Sequence, residues 1–223
     1  MRAINKKKLI DIILLLGTLI LTNLSGQGII PVTGDETITP QENIPLTNID
    51  TEIYAGADLT SIGQFVESIT DGQSDAIRGV FVTDKLALEV VQQPSSNAAY
   101  VSTEAGKVTQ FSMARQYDTL GFLAHNYLAG ATFFDLYFGD IIQVVYGDGS
   151  IDFYQVAEIY RYQALSPNSA YSQFLDLETG EQYSATDVFY QMYTGEHHLT
   201  LQTCIQEGDV DSWGRLFIIA YPL

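Results

Sequence analysis

The chain has 223 residues, of which 46% are hydrophobic and 12% aromatic, with a formal net charge of −17 at pH 7. So large an apolar share supplies a packed core and argues against wholesale disorder, and the length suits one well-sized domain with extra segments. An acidic chain with no basic stripe repels phosphates, which argues against nucleic acid as a partner.

The first residues read as an export segment. Arg2 and Lys6 to Lys8 form a basic head, and an apolar run follows from Leu9 to Leu24. As a helix that run is about 24 Å long, somewhat short for a bilayer core of roughly 30 Å. Its length favours a cleaved signal, but Leu24-Ser25-Gly26 is a poor cleavage site. A retained anchor with its lysines on the cytoplasmic side is the alternative. Either way residues 1–26 are a signal peptide or membrane anchor, and the rest is expected outside the cytoplasm. That remainder holds every acidic residue but Asp11 and only six basic ones, a charge of about −20. Residues 27–57 mix Pro31, Pro40 and Pro45 with Thr, Asn, Asp and Glu, and are expected to be a flexible acidic linker. No Lys or Arg lies between Lys8 and Arg78.

Residues 58–75 read as an N-terminal helix and lead-in. Ile62, Phe65, Val66 and Ile69 keep helical spacing, with Asp58 or Thr60 as cap and Asp71-Gly72 as stop. From residue 76 to 223 the pattern changes to short β-like runs: 78–82, 86–91, 107–113, 120–125, 141–146, 152–163, 198–205 and 215–221. Gly147-Asp148-Gly149 is the clearest turn between two of them. SATDVFYQMYTG reads as a helix, with Ser184 and Asp187 at capping-box spacing and Gly195 past its end. Eight short strands with one or two helices predict a mainly β fold, a closed or nearly closed β-barrel.

Cys204 is the only cysteine, so the chain forms no internal disulfide. A lone thiol exposed to an oxidising compartment is a liability unless it has a function. A nucleophilic thiolate needs a cation or an imidazole beside it. His198 shares a strand with Cys204, but six residues separate them by roughly 20 Å. His197 is farther still. His125, at the end of LGFLAH, is left by elimination. Arg215 follows Cys204 across QEGDVDSWG, which reads as a loop, so Cys204 ends one strand and Arg215 begins the next. Neighbouring antiparallel strands, about 4.8 Å apart, would bring the two together at one rim of the barrel. There an Arg could hold an oxyanion. Each residue also has a plainer reading. Cys204 could be a small buried hydrophobe, His125 a hydrogen-bonded core residue, and Arg215 a surface ion pair with Glu207, Asp209 or Asp211.

TLQTC (200–204), with Arg215 after it and His125 well before it, resembles the sortases, the cell-surface cysteine transpeptidases of bacteria. Thr200, Leu201, Thr203 and Cys204 match their Thr-Leu-x-Thr-Cys motif, with Gln202 at the free position. The resemblance covers about residues 76–223, and the one departure is Ala124 where the family often has Gly before the histidine. It implies a sortase-type closed eight-stranded barrel, with Cys204, His125 and Arg215 as catalytic residues. It further implies cleavage of a C-terminal sorting peptide on another exported protein, through a thioester on Cys204. The acyl group would pass to an amine of peptidoglycan or of a protein lysine. The expected location is the cell surface, secreted or held by the N-terminal segment. The alternatives are an inactive sortase-fold binding or scaffolding module and a purely hydrolytic cysteine peptidase. No cofactor is expected. Asp176, Glu178 and Glu181 could take Ca²⁺ as some sortases do, but a solvated loop is the preferred reading. Pocket residues are expected within 126–140 and 164–197.

Overall fold

Period-two burial is what rolls this chain up. In β2 (Leu86–Gln92), Leu86, Leu88 and Val90 are buried while Glu89 is exposed, because successive side chains point to opposite faces of a strand. The structure, a computed structural model, describes residues 61–169 and 171–223. The expected signal or anchor, the linker and the caps Asp58 and Thr60 lie outside the described residues.

The other strands are β1 (Ile77–Val82), β3 (Lys107–Gln110), β4 (Leu120–Leu123), β5 (Ile141–Tyr146), β6 (Ile151–Ala164), β7 (Gln173–Asp176), β8 (Gln182–Ser184), β9 (Leu199–Glu207) and β10 (Val210–Pro222). The sheet runs β10-β9-β4-β3-β2-β1-β5-β6-β7-β8, and β10 pairs back onto β6. That pairing closes an eight-stranded barrel and leaves the β7–β8 hairpin attached to β6. The eight expected strands are the eight staves. Two pairings are parallel, β2 with β3 and β4 with β9.

Helix α1 (Ile62–Ile69) lies against β1. Phe65 and Ile69 fill the space that a side chain on Gly79 would need. Its N-cap is Ser61, which makes no side-chain cap bond. The stop is also a docking point, because the N–H groups of Asp71 and Gly72 both donate to the Gly147 carbonyl, at 2.9 and 2.7 Å. A Cβ on Gly147 would meet Asp71 Oδ1 at 2.3 Å, so the β5–β6 turn needs glycine there. In α2 (Ala185–Tyr193) the expected capping box forms: Asp187 N–H donates to Ser184 Oγ, and the Ser184 N–H donates to Asp187 Oδ2.

Two expectations are corrected. QEGDVDSWG is not a loop: β9 continues to Glu207, Gly208 turns with φ +56, and β10 starts at Val210. The extra residues are absorbed by a bulge between Val210 and Gly214. Within 164–197 the expected helix forms as α2, but β7 and β8 are two short strands beyond the eight expected.

The core is double. Val80, Leu88, Val144, Leu201, Leu216 and Ile218 belong to a cluster inside the barrel. Phe111, Leu123, Phe174, Tyr193, Phe217 and Ile219 belong to a second cluster on the outer face of β4, β9, β10 and β6, under α2 and the β7–β8 hairpin.

Candidate functional site

Alternation along β9 assigns TLQTC to two faces. Leu201 points into the barrel core, so Thr200, Gln202 and Cys204 point to the outer face. Each motif residue has a local task. Thr200 Oγ1 donates to the Met192 carbonyl at 2.6 Å, satisfying a carbonyl near the C-terminus of α2 that lacks an intrahelical partner. Gln202 Oε1 accepts from the Tyr193 hydroxyl at 2.6 Å. Thr203 Oγ1 donates to the Ala124 carbonyl at 2.9 Å, tying β9 to the residue before His125. Cys204 is left on the outer face with its thiol free of covalent partners.

The three expected site residues lie on adjacent segments. In the β9–β10 ladder Arg215 stands directly opposite Cys204. In the β4–β9 ladder Leu123 stands opposite Gln202, and the Ala124 N–H still donates to the Gln202 carbonyl at 3.1 Å. The same register carried two residues past Leu123 sets His125 level with Cys204. His125, Cys204 and Arg215 therefore form a row across three backbone segments spanning about 10 Å. Phe217 and Leu123 belong to the outer cluster, so alternation puts Arg215 and His125 on the face that Cys204 shares.

This row is not an open rim. Cys204 is 2% exposed, Arg215 1% and His125 5%. Arg215 is held from its own strand, with Nη1 donating to the carbonyls of Ser212 (3.0 Å) and Gly214 (2.8 Å). Its guanidinium lies 5.9 Å from the Phe174 ring, within reach of a cation–π contact. At this burial Arg215 is not the surface residue that the plainer reading required.

His125 is fixed by its surroundings. Its ring donates to the Val101 carbonyl and stacks on Tyr127, with ring centroids 5.1 Å apart. Its main-chain carbonyl accepts from the N–H groups of Leu128 (3.0 Å) and Gly130 (2.9 Å). Gly130 opens the short helix Ala129–Asp135 one residue in. A Cβ on Gly130 would come within 2.2 Å of Thr203 Oγ1 and 2.7 Å of the His125 carbonyl. Only glycine lets this turn approach β9 so closely.

Electrostatics separate the two titrating groups. Burial pushes the Cys204 thiol above its ordinary range, against the Arg215 charge that draws it down, while the Asp211 carboxylate adds to the rise. Burial pulls His125 below the ordinary imidazole range, with the Val101 carbonyl opposing. Near neutral pH the resting pair is a thiol and a neutral imidazole.

Sequence reasoning missed Val101; Tyr127, Gly130 and Phe174 fall within the expected ranges 126–140 and 164–197 but were not singled out. The main-chain role of Val101 leaves no signature in the residue type. Phe174 was legible, since QFLD and QYS flank the Thr179-Gly180 turn of a short hairpin. Asp176 shapes that hairpin, its Oδ1 accepting from the N–H groups of Glu178 (2.8 Å) and Thr179 (3.1 Å), and Glu181 accepts from the Tyr183 hydroxyl. Among the described residues no group of three or more His, Cys, Asp or Glu is arranged to hold a metal. Among the same residues no helix is long and apolar enough to cross a membrane.

No protein-family model matches the chain, and no curated protein matches it. Solved sortases of several classes are similar to it. Sortase A of Corynebacterium diphtheriae is 12% identical, with a TM-score of 0.44, over 75% of this chain and 71% of that one. Sortase C1 of Streptococcus suis is 14% identical, with a TM-score of 0.43, over 72% and 77%. Sortase E1 of Streptomyces coelicolor is 17% identical, with a TM-score of 0.41, over 69% and 90%.

Proposed function

We propose that this chain is a sortase-type cysteine transpeptidase of the cell surface. The observation that carries the reading is the row of His125, Cys204 and Arg215, with Arg215 opposite Cys204 in the β9–β10 ladder and TLQTC supplying the sulfur. A thiol, an imidazole and a guanidinium are the parts that acyl transfer through a thioester requires.

In this reading Cys204 passes its thiol proton to His125 as Sγ attacks the carbonyl of a sorting peptide near the C-terminus of another exported protein. His125 gives its proton to the departing amine, which leaves with the C-terminal fragment. Arg215 stabilises the negative oxygen of the tetrahedral intermediate. An amine of peptidoglycan or of a protein lysine then attacks the thioester, His125 takes its proton, and a new amide forms as Cys204 is released. No cofactor enters these steps. Ca²⁺ would act, if at all, on the loops and not in the chemistry. The N-terminal segment would hold or export the domain on the outer side of the membrane.

One observation favours the alternative of an inactive module: the sulfur is almost wholly covered, so a peptide reaches it only after the outer face opens. The two readings part in one experiment. Leu-Pro-x-Thr-Gly-like peptides are incubated with wild type, Cys204→Ala, His125→Ala and Arg215→Ala, with and without an added amine. Amine-dependent product that all three variants abolish supports the transpeptidase. Cleavage without amine transfer identifies a hydrolytic peptidase. A Cys204 that resists alkylation in the folded protein, with no product, identifies the module.

A further inference from the structure

The residue after His125 reaches across the site. Asn126 Nδ2 donates to the main-chain carbonyl of Asp211, 3.0 Å away and 85 positions later in the chain. Asp211 sits in the β10 bulge, between the register points Val210 and Gly214. The same stretch of backbone secures the guanidinium, because the Ser212 and Gly214 carbonyls both accept from Arg215 Nη1. One short bulge therefore takes hold of the His125 turn at one carbonyl and of Arg215 at two others. The remaining bonds near His125 serve different partners: Thr203 ties Ala124 to β9, while Leu128 and Gly130 close the turn on itself.

We propose that Asn126 is a positioning residue, clasping the turn that bears His125 to the β10 bulge and so setting the imidazole against Arg215 and Cys204. The inference rests on the transpeptidase reading for its effect on rate, though the clasp itself is a matter of geometry. The bond needs a donor on residue 126, since its partner is a carbonyl. Aspartate has nearly the shape of asparagine but only accepts when ionised. Because the acceptor is main chain, no side-chain change at Asp211 substitutes for a change at Asn126. A catalytic group must be held within a fraction of an ångström of its working place, so a loosened turn costs rate before it costs binding.

The test uses the full chain with Asn126→Ala and Asn126→Asp. Three quantities are read: the steady-state kinetics of amine transfer to a sorting peptide, the NMR signals of the histidine rings, and the melting temperature. Loss of the clasp lowers kcat by about tenfold with KM changed less than about twofold. The His125 ring signal shifts or broadens while those of His197 and His198 stay put, and melting is little changed. Unchanged kcat with an unmoved His125 signal in both variants overturns the proposal. So does a large fall in melting temperature that activity merely follows, since Asn126 would then be structural only. Should wild type form no transfer product, the ring signal alone decides: movement of His125 upholds the clasp while the proposed reaction falls, and an unmoved signal overturns the clasp as well.

Discussion

Titrating Cys204 tests the electrostatics of the site most directly. An ordinary thiol ionises near 8.5 and an ordinary imidazole near 6.5, so the fraction of molecules holding thiolate and imidazolium together is about 1%, a cost of about 2.7 kcal/mol. Burial raises the thiol and lowers the imidazole here, which widens the gap and makes that fraction a ceiling. The assay is the ultraviolet absorbance of the thiolate followed against pH. Subtracting the same titration of Cys204→Ala isolates the signal, because Cys204 is the only cysteine and the 14 tyrosines cancel. Thiolate should be absent at pH 7 and emerge only above about pH 8.5. Arg215→Ala should move the rise to higher pH and Asp211→Asn to lower pH, following the sign of each charge. A thiolate already formed at about pH 6 would refute the reasoning, since it would mean that a cationic surrounding outweighs burial.

The remaining predictions concern how the site is held. Thr203→Val keeps the shape but leaves the Ala124 carbonyl without its hydroxyl partner, which should cost about 1–3 kcal/mol in urea unfolding and slow amine transfer. Gly130→Ala forces a methyl onto Thr203 Oγ1 and two carbonyls; overpacking of about 1–3 kcal/mol should appear as lost stability, with a larger loss of activity as His125 is displaced. Phe174→Ala opens a cavity over Arg215 and should destabilise by about 3–5 kcal/mol by chemical denaturation. For His125, burial lowers the folded-state value, so the unfolded chain takes up its proton first as pH falls. The stability difference between wild type and His125→Gln should be constant above about pH 6.5 and should shrink as pH drops below it through the folded value. A difference that grows on acidification would reverse the assigned direction.

Much of the fold was legible because strand periodicity and turn chemistry are local. Leu86, Leu88 and Val90 announce a stave, and the Ser184–Asp187 pair announces the start of a helix. The site was legible in part. Spacing excluded His198 as a partner of Cys204, and the structure has His198 bonded instead to the Met192 and Glu196 carbonyls. What could not be read was long-range pairing. Nothing local says that β4 lies parallel to β9, yet that pairing sets His125 level with the sulfur. Nor does QEGDVDSWG show that it folds as a bulged hairpin: Gly208 and three acidic residues look like a loop by composition, and only the ladder with β9 makes them strand. The covered state of Cys204 was equally hidden. It depends on the outer cluster beneath α2 and the β7–β8 hairpin, a second core that no single segment encodes.

The seam where β6 meets β10 has a consequence for errors of assembly. Arg215 and Leu216 are neighbours on β10, one turned outward and one into the barrel. If the last stave seated itself one position off, the guanidinium would be driven into hydrocarbon while a leucine took its place beside the sulfur. A mis-threaded molecule could therefore not persist as a nearly intact but idle copy. The penalty for burying an unmatched cation would expel it, so the guanidinium beside the sulfur also proofreads closure.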